Sequence, residues 1–282
     1  MKNRILTTVV GIALVIVWMV AMYTPFFAAL LAFFCAVGVY EMMKAFEMKN
    51  IVLRVFYIII AAIIPFYFEF RTKADIPLFP VITAIVLFSL VVMVLDFKNL
   101  KFEQVICSAF SAVFIPSALS CVVLFRDVYI NFPDAYKNKS DGLFFLIFAF
   151  FCCWLSDIFA LLVGMKFGKH KLAPVISPKK TVEGAIGGIV CCALFNVGLF
   201  FLFKYKFNLS EEITLPLILI SSVLLSILSI FGDLSASTIK RHKGIKDFGN
   251  LLPGHGGVMD RFDSSVAVFP ALYAIIITIN AI

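Results

Sequence analysis

Nine stretches of this 282-residue chain approach the length and apolarity of a membrane span. A helix needs roughly 20 mostly apolar residues to cross the hydrocarbon core. The candidates are residues 5–22, 25–43, 55–70, 76–95, 105–125, 143–165, 185–203, 213–231 and 264–282. The second carries Glu41 near its end, and the third is short and holds Pro65. Residues 5–22 follow Met-Lys-Asn-Arg as a signal peptide would, but they are too long for its apolar core and lack a small-x-small cleavage site. They read as a retained first span. Only 15% of the residues are charged and 62% are hydrophobic, including 33 Phe. A water-soluble globule could not hide that much apolar side chain, and disorder or a disulfide-stapled secreted module is excluded. The expected fold is all-α: a polytopic integral membrane helical bundle of about nine transmembrane helices, one membrane domain over residues 1–282.

Successive spans alternate sides, so the loop cations test the orientation. With the N-terminus in the cytoplasm, 17 of the 24 Lys and Arg fall on cytoplasmic segments and 7 on the opposite side. That bias obeys the positive-inside rule and puts the C-terminus on the far side. An eight-span count would place the two cation-richest loops on opposite faces. The net charge of +7 therefore reports topology, and no nucleic-acid partner is expected. The seven cysteines lie in apolar stretches without metal-site spacing and read as small hydrophobes.

Two loops do more than turn the chain. Residues 166–184 hold Lys-Phe-Gly-Lys-His-Lys-Leu-Ala-Pro and Ser177-Pro-Lys-Lys-Thr-Val-Glu-Gly184. Residues 232–263 hold Asp233, Ser237, Lys240 and Arg241, then Lys246-Asp247, then Leu252-Pro-Gly-His-Gly-Gly-Val-Met-Asp-Arg-Phe-Asp263. The pattern after residue 231 can stay helical as far as His242, which places Asp233, Ser237 and Lys240 on one face. The glycine turn around His255, Gly256 and Gly257 lets backbone approach an anion closely. Carboxylates beside cations at the edge of the hydrocarbon suit a polyphosphate–metal site, although a salt-bridged, snorkelling loop would share that composition. Asp157 lies inside span 143–165, where an ionisable group costs roughly 2.5–3.5 kcal/mol on insertion scales and usually marks function. Glu41, nearer a span end, reads as a paired packing residue.

Other motifs carry less. The run from Gly164 to Lys169 lacks the spacing and the hydroxyl of a nucleotide-binding P-loop. Gly184-x-x-x-Gly188 points to close helix packing. His170, His242 and His255 are too scattered for a zinc triad.

The run from Ser237 to Asp263 resembles the signature of the phosphatidate cytidylyltransferases (CDP-diacylglycerol synthases) over about 27 residues without a gap. Asp157 and the two motifs of residues 166–184 are similar to that family as well. Residues 1–140 offer spans but no motif, whereas 141–282 hold both loops. The resemblance implies transfer of the cytidylyl group of CTP to phosphatidate, giving CDP-diacylglycerol and pyrophosphate. It implies Mg²⁺ on Asp233 and Asp260, and a monovalent cation such as K⁺ beside it. Asp263 then supports the metal, and Asp157 and Glu183 orient the cations or hold the second one. Lys240, Arg241, Lys246 and Arg261 bind phosphates, as do Lys179 and Lys180. Asp247 stands among the catalytic candidates beside Lys246. Ser177, Thr181 and Ser237 donate short hydrogen bonds, and His255, Gly256 and Gly257 shape the turn.

The chemistry is consistent with these residue types. Phosphatidate is already an ionised nucleophile near neutral pH, so no general base is required, and what needs managing is negative charge. CTP is a cytosolic solute and phosphatidate a membrane lipid, so the site is expected at the cytoplasmic interface. A homodimer stays open, since no motif speaks for it. Two alternatives remain at this stage: CTP-dependent transfer to another lipid phosphate, and transport of an anion or phospho-compound.

Overall fold

The computed structural model describes residues 20–71, 77–251 and 256–281. Six described helices are long and apolar enough to cross a bilayer. These are α1 (Pro25–Ala45), α2 (Ile51–Phe70), α4 (Phe102–Arg126), the continuous run Lys139–Phe167, α8 (Val182–Lys206) and α9 (Leu215–His242). Two shorter apolar helices, α3 (Leu78–Leu95) and α11 (Ser265–Ala281), complete eight of the nine expected stretches. Residues 5–19 of the first stretch lie outside the described residues. The run Lys139–Phe167 comprises α6 (Lys139–Phe150), a π-helical turn (Phe151–Leu155) and α7 (Ser156–Phe167). One-turn helices α5 (Val128–Asn131) and α10 (Met259–Phe262) lie in connections. The chain is an integral membrane protein of all-α class, with one departure. The loop of residues 166–184 contains a small antiparallel ribbon, β1 (Lys171–Ala173) with β2 (Ser177–Thr181).

The chain divides into two compact units, Met1–Ser120 with His242–Phe262, and Cys121–Arg241 with Asp263–Ile282. In the first unit, Pro25 opens α1 at a position where its missing N–H costs nothing. Phe27, Leu31, Cys35, Val39 and Met42 recur at helical spacing and are buried. The Asn50 side chain caps α2 by accepting from the Leu53 N–H at 3.0 Å, and donates to Asp96 at 2.7 Å. Tyr57 donates to Ser89 at 2.8 Å, tying α2 to α3.

In the second unit, small residues let α7 and α8 pack backbone to backbone. A side-chain carbon at Gly184 would lie 2.5 Å from the Ala160 carbonyl oxygen, and one at Gly188 would lie 2.5 Å from that of Ser156. The glycine spacing in α8 is thus a packing device. Buried polar pairs connect the same helices to α9. Asn196 donates to Ser222 at 3.1 Å, and the Ser156 and Ser229 hydroxyls meet at 3.4 Å. At the other end of the unit, buried Asp141 accepts from the Asn138 N–H and from both the N–H and hydroxyl of Ser210. All seven cysteines are free thiols.

Candidate functional site

Helix α9 keeps its hydrogen-bond ladder through the charged sequence after Phe231, so Asp233, Ser237 and Lys240 ride on one rigid element, as their spacing predicts. Gly232 sets the depth of its contact. A side-chain carbon there would stand 3.0 Å from both the Asp263 carbonyl oxygen and the Ser264 Cα. The missing side chain brings Asp233 beside the residues that open α11.

Asp157 reaches the same place from α7, two residues past the π-helical turn, a feature frequent at functional sites. The Ser264 hydroxyl donates to it at 3.3 Å. The ribbon supplies the cation: the Lys180 ammonium forms an ion pair with the Asp233 carboxylate. Arg241, at the end of α9, donates to the Ile176 carbonyl at the ribbon turn at 3.2 Å. The two loops singled out in the sequence therefore meet through Lys180–Asp233 and Arg241–Ile176.

Burial, and then repulsion from Asp233, push the Asp263 carboxyl up to about 7. The nearby Lys240 charge and the Ser264 N–H pull it the other way, while Asp157 adds repulsion. Three carboxylates thus feel one another in one place, with Lys180 and Lys240 as the counter-charges. No three His, Cys, Asp or Glu side chains among the described residues converge as a closed metal cage.

The remaining candidates of this unit play other parts. Thr181 caps α8, its hydroxyl accepting from the Gly184 N–H at 3.1 Å, and is buried against Gly164 and Gly168. Glu183 closes the base of the ribbon, accepting from the Lys169 and His170 N–H groups and meeting His170 Nδ1 at 2.6 Å. Ser177 opens β2, Lys179 is exposed and Ser237 is buried.

The first unit holds two further carboxylates, Glu41 and Asp260. Asp260 accepts from the N–H of Phe248 at 2.8 Å and of Gly257 at 3.0 Å. Gly256 turns the chain at φ +85°, the left-handed region open to glycine. Glu41 of α1, buried, accepts from Val258 and Met259 N–H at 3.1 and 2.9 Å. Lys246, Asp247 and Arg261 are exposed, and His255 lies outside the described residues. Sequence reasoning missed two participants. Ser264 carried a signal, a hydroxyl directly after Asp263. Glu41 carried only its charge inside a span.

The fold and site define a polytopic helical membrane protein with lysine-compensated aspartates at the ends of its apolar helices. The cytidylyltransferase family pattern matches residues 2–279, and the chain belongs to that family. Phosphatidate cytidylyltransferases of Staphylococcus haemolyticus and Staphylococcus aureus (strain COL) are 42% and 45% identical to it, each over 160 residues. That of Staphylococcus saprophyticus is 45% identical over 162 residues. These matches span 57% of this chain and 59–60% of the relatives' own length.

Proposed function

We propose that this chain transfers the cytidylyl group of CTP to phosphatidate, releasing pyrophosphate and forming CDP-diacylglycerol, at the cytoplasmic face of the membrane. The observation that carries the reading is the meeting of Lys180 and Lys240 with Asp157, Asp233 and Asp263 at the ends of apolar helices. Family membership and the names of the relatives support the same reaction.

An oxygen of the phosphatidate phosphate attacks the α-phosphorus of CTP. A P–O bond forms to the lipid, the bond to the β-phosphate breaks, and its electron pair leaves with pyrophosphate. Both reactants are anions, so Lys180 and Lys240 hold phosphate oxygens and reduce their repulsion. When a phosphate takes Lys180, the Asp233 carboxylate is released from its ion pair. The donor set fits Mg²⁺, which uses one or two carboxylates and fills its remaining positions with phosphate and water. Bound there, Mg²⁺ would supply charge neutralisation at the transferring phosphoryl group. Asp233 and Asp260 are its proposed ligands on the strength of the motif, with a monovalent cation such as K⁺ beside it.

The test is incorporation of labelled CTP into lipid by purified protein, with other nucleotides and other lipid phosphates as competitors. Asp233→Ala and Asp260→Ala are each expected to lose about 10³-fold in turnover, the scale of removing a principal electrostatic element. Near-normal turnover in either variant overturns the metal assignment. Anion flux into liposomes without pyrophosphate release would replace the reaction with transport.

A further inference from the structure

We propose that Glu41 is a positioning residue for the reaction, holding residues 256–260 so that Asp260 keeps its aim. The inference rests on the proposed function for the importance of Asp260 and on geometry for everything else.

Glu41 sits in the last turns of α1, only 4% exposed. A carboxylate is disfavoured there twice, by burial and by the negative end of the helix dipole. Its compensation comes from more than 200 residues away in sequence, from two successive backbone N–H groups, Val258 and Met259, one on each oxygen. The sequence leaves room for it. A side-chain carbon at Gly249 would lie 2.1 Å from Glu41 Oε1, and one at Gly257 would lie 2.3 Å from it. Two glycines therefore press bare backbone against one carboxylate.

The hydrogen bonds continue directly to Asp260. The N–H before Val258 is that of Gly257, and it goes to Asp260 Oδ2, which also accepts from Phe248. Glu41 thus fixes amides 258 and 259, and Asp260 is tied to amide 257 of the same strip. A shift of the strip by one bond would rotate Asp260 with it. Apolar contacts hold the segment down independently. The Phe262 ring packs on Phe34 at 6.0 Å, and Val258 and Met259 are buried. Loss of the Glu41 charge should therefore spoil aim more than folding.

The experiment compares Glu41→Gln and Glu41→Asp with the unmodified full-length protein in detergent or vesicles. Glutamine keeps the volume but turns one acceptor into a donor facing an N–H. The expected result is a fall in kcat of about 10–100-fold, the usual cost of losing a group that orients a metal-binding residue. The Mg²⁺ concentration for half-maximal rate should rise, KM for CTP should change little, and Glu41→Asp should recover part of kcat. Trypsin cleavage after exposed Lys246 should be faster in Glu41→Gln. Unchanged kcat and Mg²⁺ dependence, or unchanged cleavage, overturn the proposal. A loss of activity that only tracks loss of folded protein overturns it too. If Glu41→Gln does not fold, Gly249→Ala, which drives a methyl into the carboxylate, should give the same kinetic pattern, and normal kinetics there count against it. An unmodified protein that makes no CDP-diacylglycerol would instead reject the proposed function, while the cleavage result would still judge the anchoring.

Discussion

The two carboxylate groups of this protein are satisfied in opposite ways. In the first unit, Glu41 and Asp260 accept from four backbone N–H groups, those of Phe248, Gly257, Val258 and Met259. In the second, Asp157, Asp233 and Asp263 face Ser264, Lys180, Lys240 and one another. Backbone donors cannot leave, so the first arrangement fixes a loop. Side-chain ammonium groups can swing to another anion, so the second can exchange partners when a phosphate arrives.

The sharpest way to break this contrast is to remove one acid from each group. Asp233→Ala and Asp260→Ala should both lose about 10³-fold in cytidylyl transfer. Trypsin cleavage after Lys246 should keep its rate in Asp233→Ala and speed up in Asp260→Ala, because Asp260 ties Phe248 to Gly257. Equal cleavage rates in the two would erase the distinction. Next in size is Gly232→Ala. Its methyl meets backbone of Asp263 and Ser264 at 3.0 Å and should push Asp233 away from its neighbours. Turnover is expected to drop about 10²-fold, as for other sub-ångström to ångström misplacements, with CTP assays at saturating substrate as the check.

A smaller effect concerns protons. The Asp263 carboxyl is raised from 3.8 to about 7, so the folded protein holds a proton that the unfolded chain has released. Between those values the folded state binds more protons, and stability must fall as pH rises through the window. Melting in detergent with EDTA should show this slope between about pH 4 and 7, and Asp263→Asn should flatten it. The smallest expected change is a gain. A side-chain carbon at Gly198 in α8 meets nothing within 4 Å. Gly198→Ala should stabilise by up to about 1 kcal/mol, whereas Gly188→Ala, 2.5 Å from a carbonyl oxygen, should cost about 1–3 kcal/mol.

Most of this architecture was legible because the bilayer imposes one rule on every span. Eight stretches chosen for apolar length match described helices within a few residues, and the continuation of α9 to His242 followed from an uninterrupted helical pattern. The ribbon was not legible. Ser-Pro-Lys-Lys-Thr has weak strand character, and its pairing depends on the contact of Val182 N–H with the His170 carbonyl at 2.9 Å and on Glu183 at its base. The π-helical turn before Asp157 has no sequence mark that we recognise. Within the candidate site, the acids and lysines of the second unit announced themselves by charge near spans. The partnership of Glu41 with Val258 and Met259 could not, because it joins backbone groups far downstream to a side chain with ordinary neighbours.

The 28 residues of α9 amount to about 42 Å of helix, against about 30 Å of hydrocarbon. Asp233 lies 18 residues from the start, or about 27 Å along the axis, a distance close to that hydrocarbon thickness. The helix therefore works as a depth gauge. A thicker bilayer would draw the aspartate toward the oily interior, a thinner one would lift it clear of the lipid phosphates, and turnover should peak at one acyl-chain length.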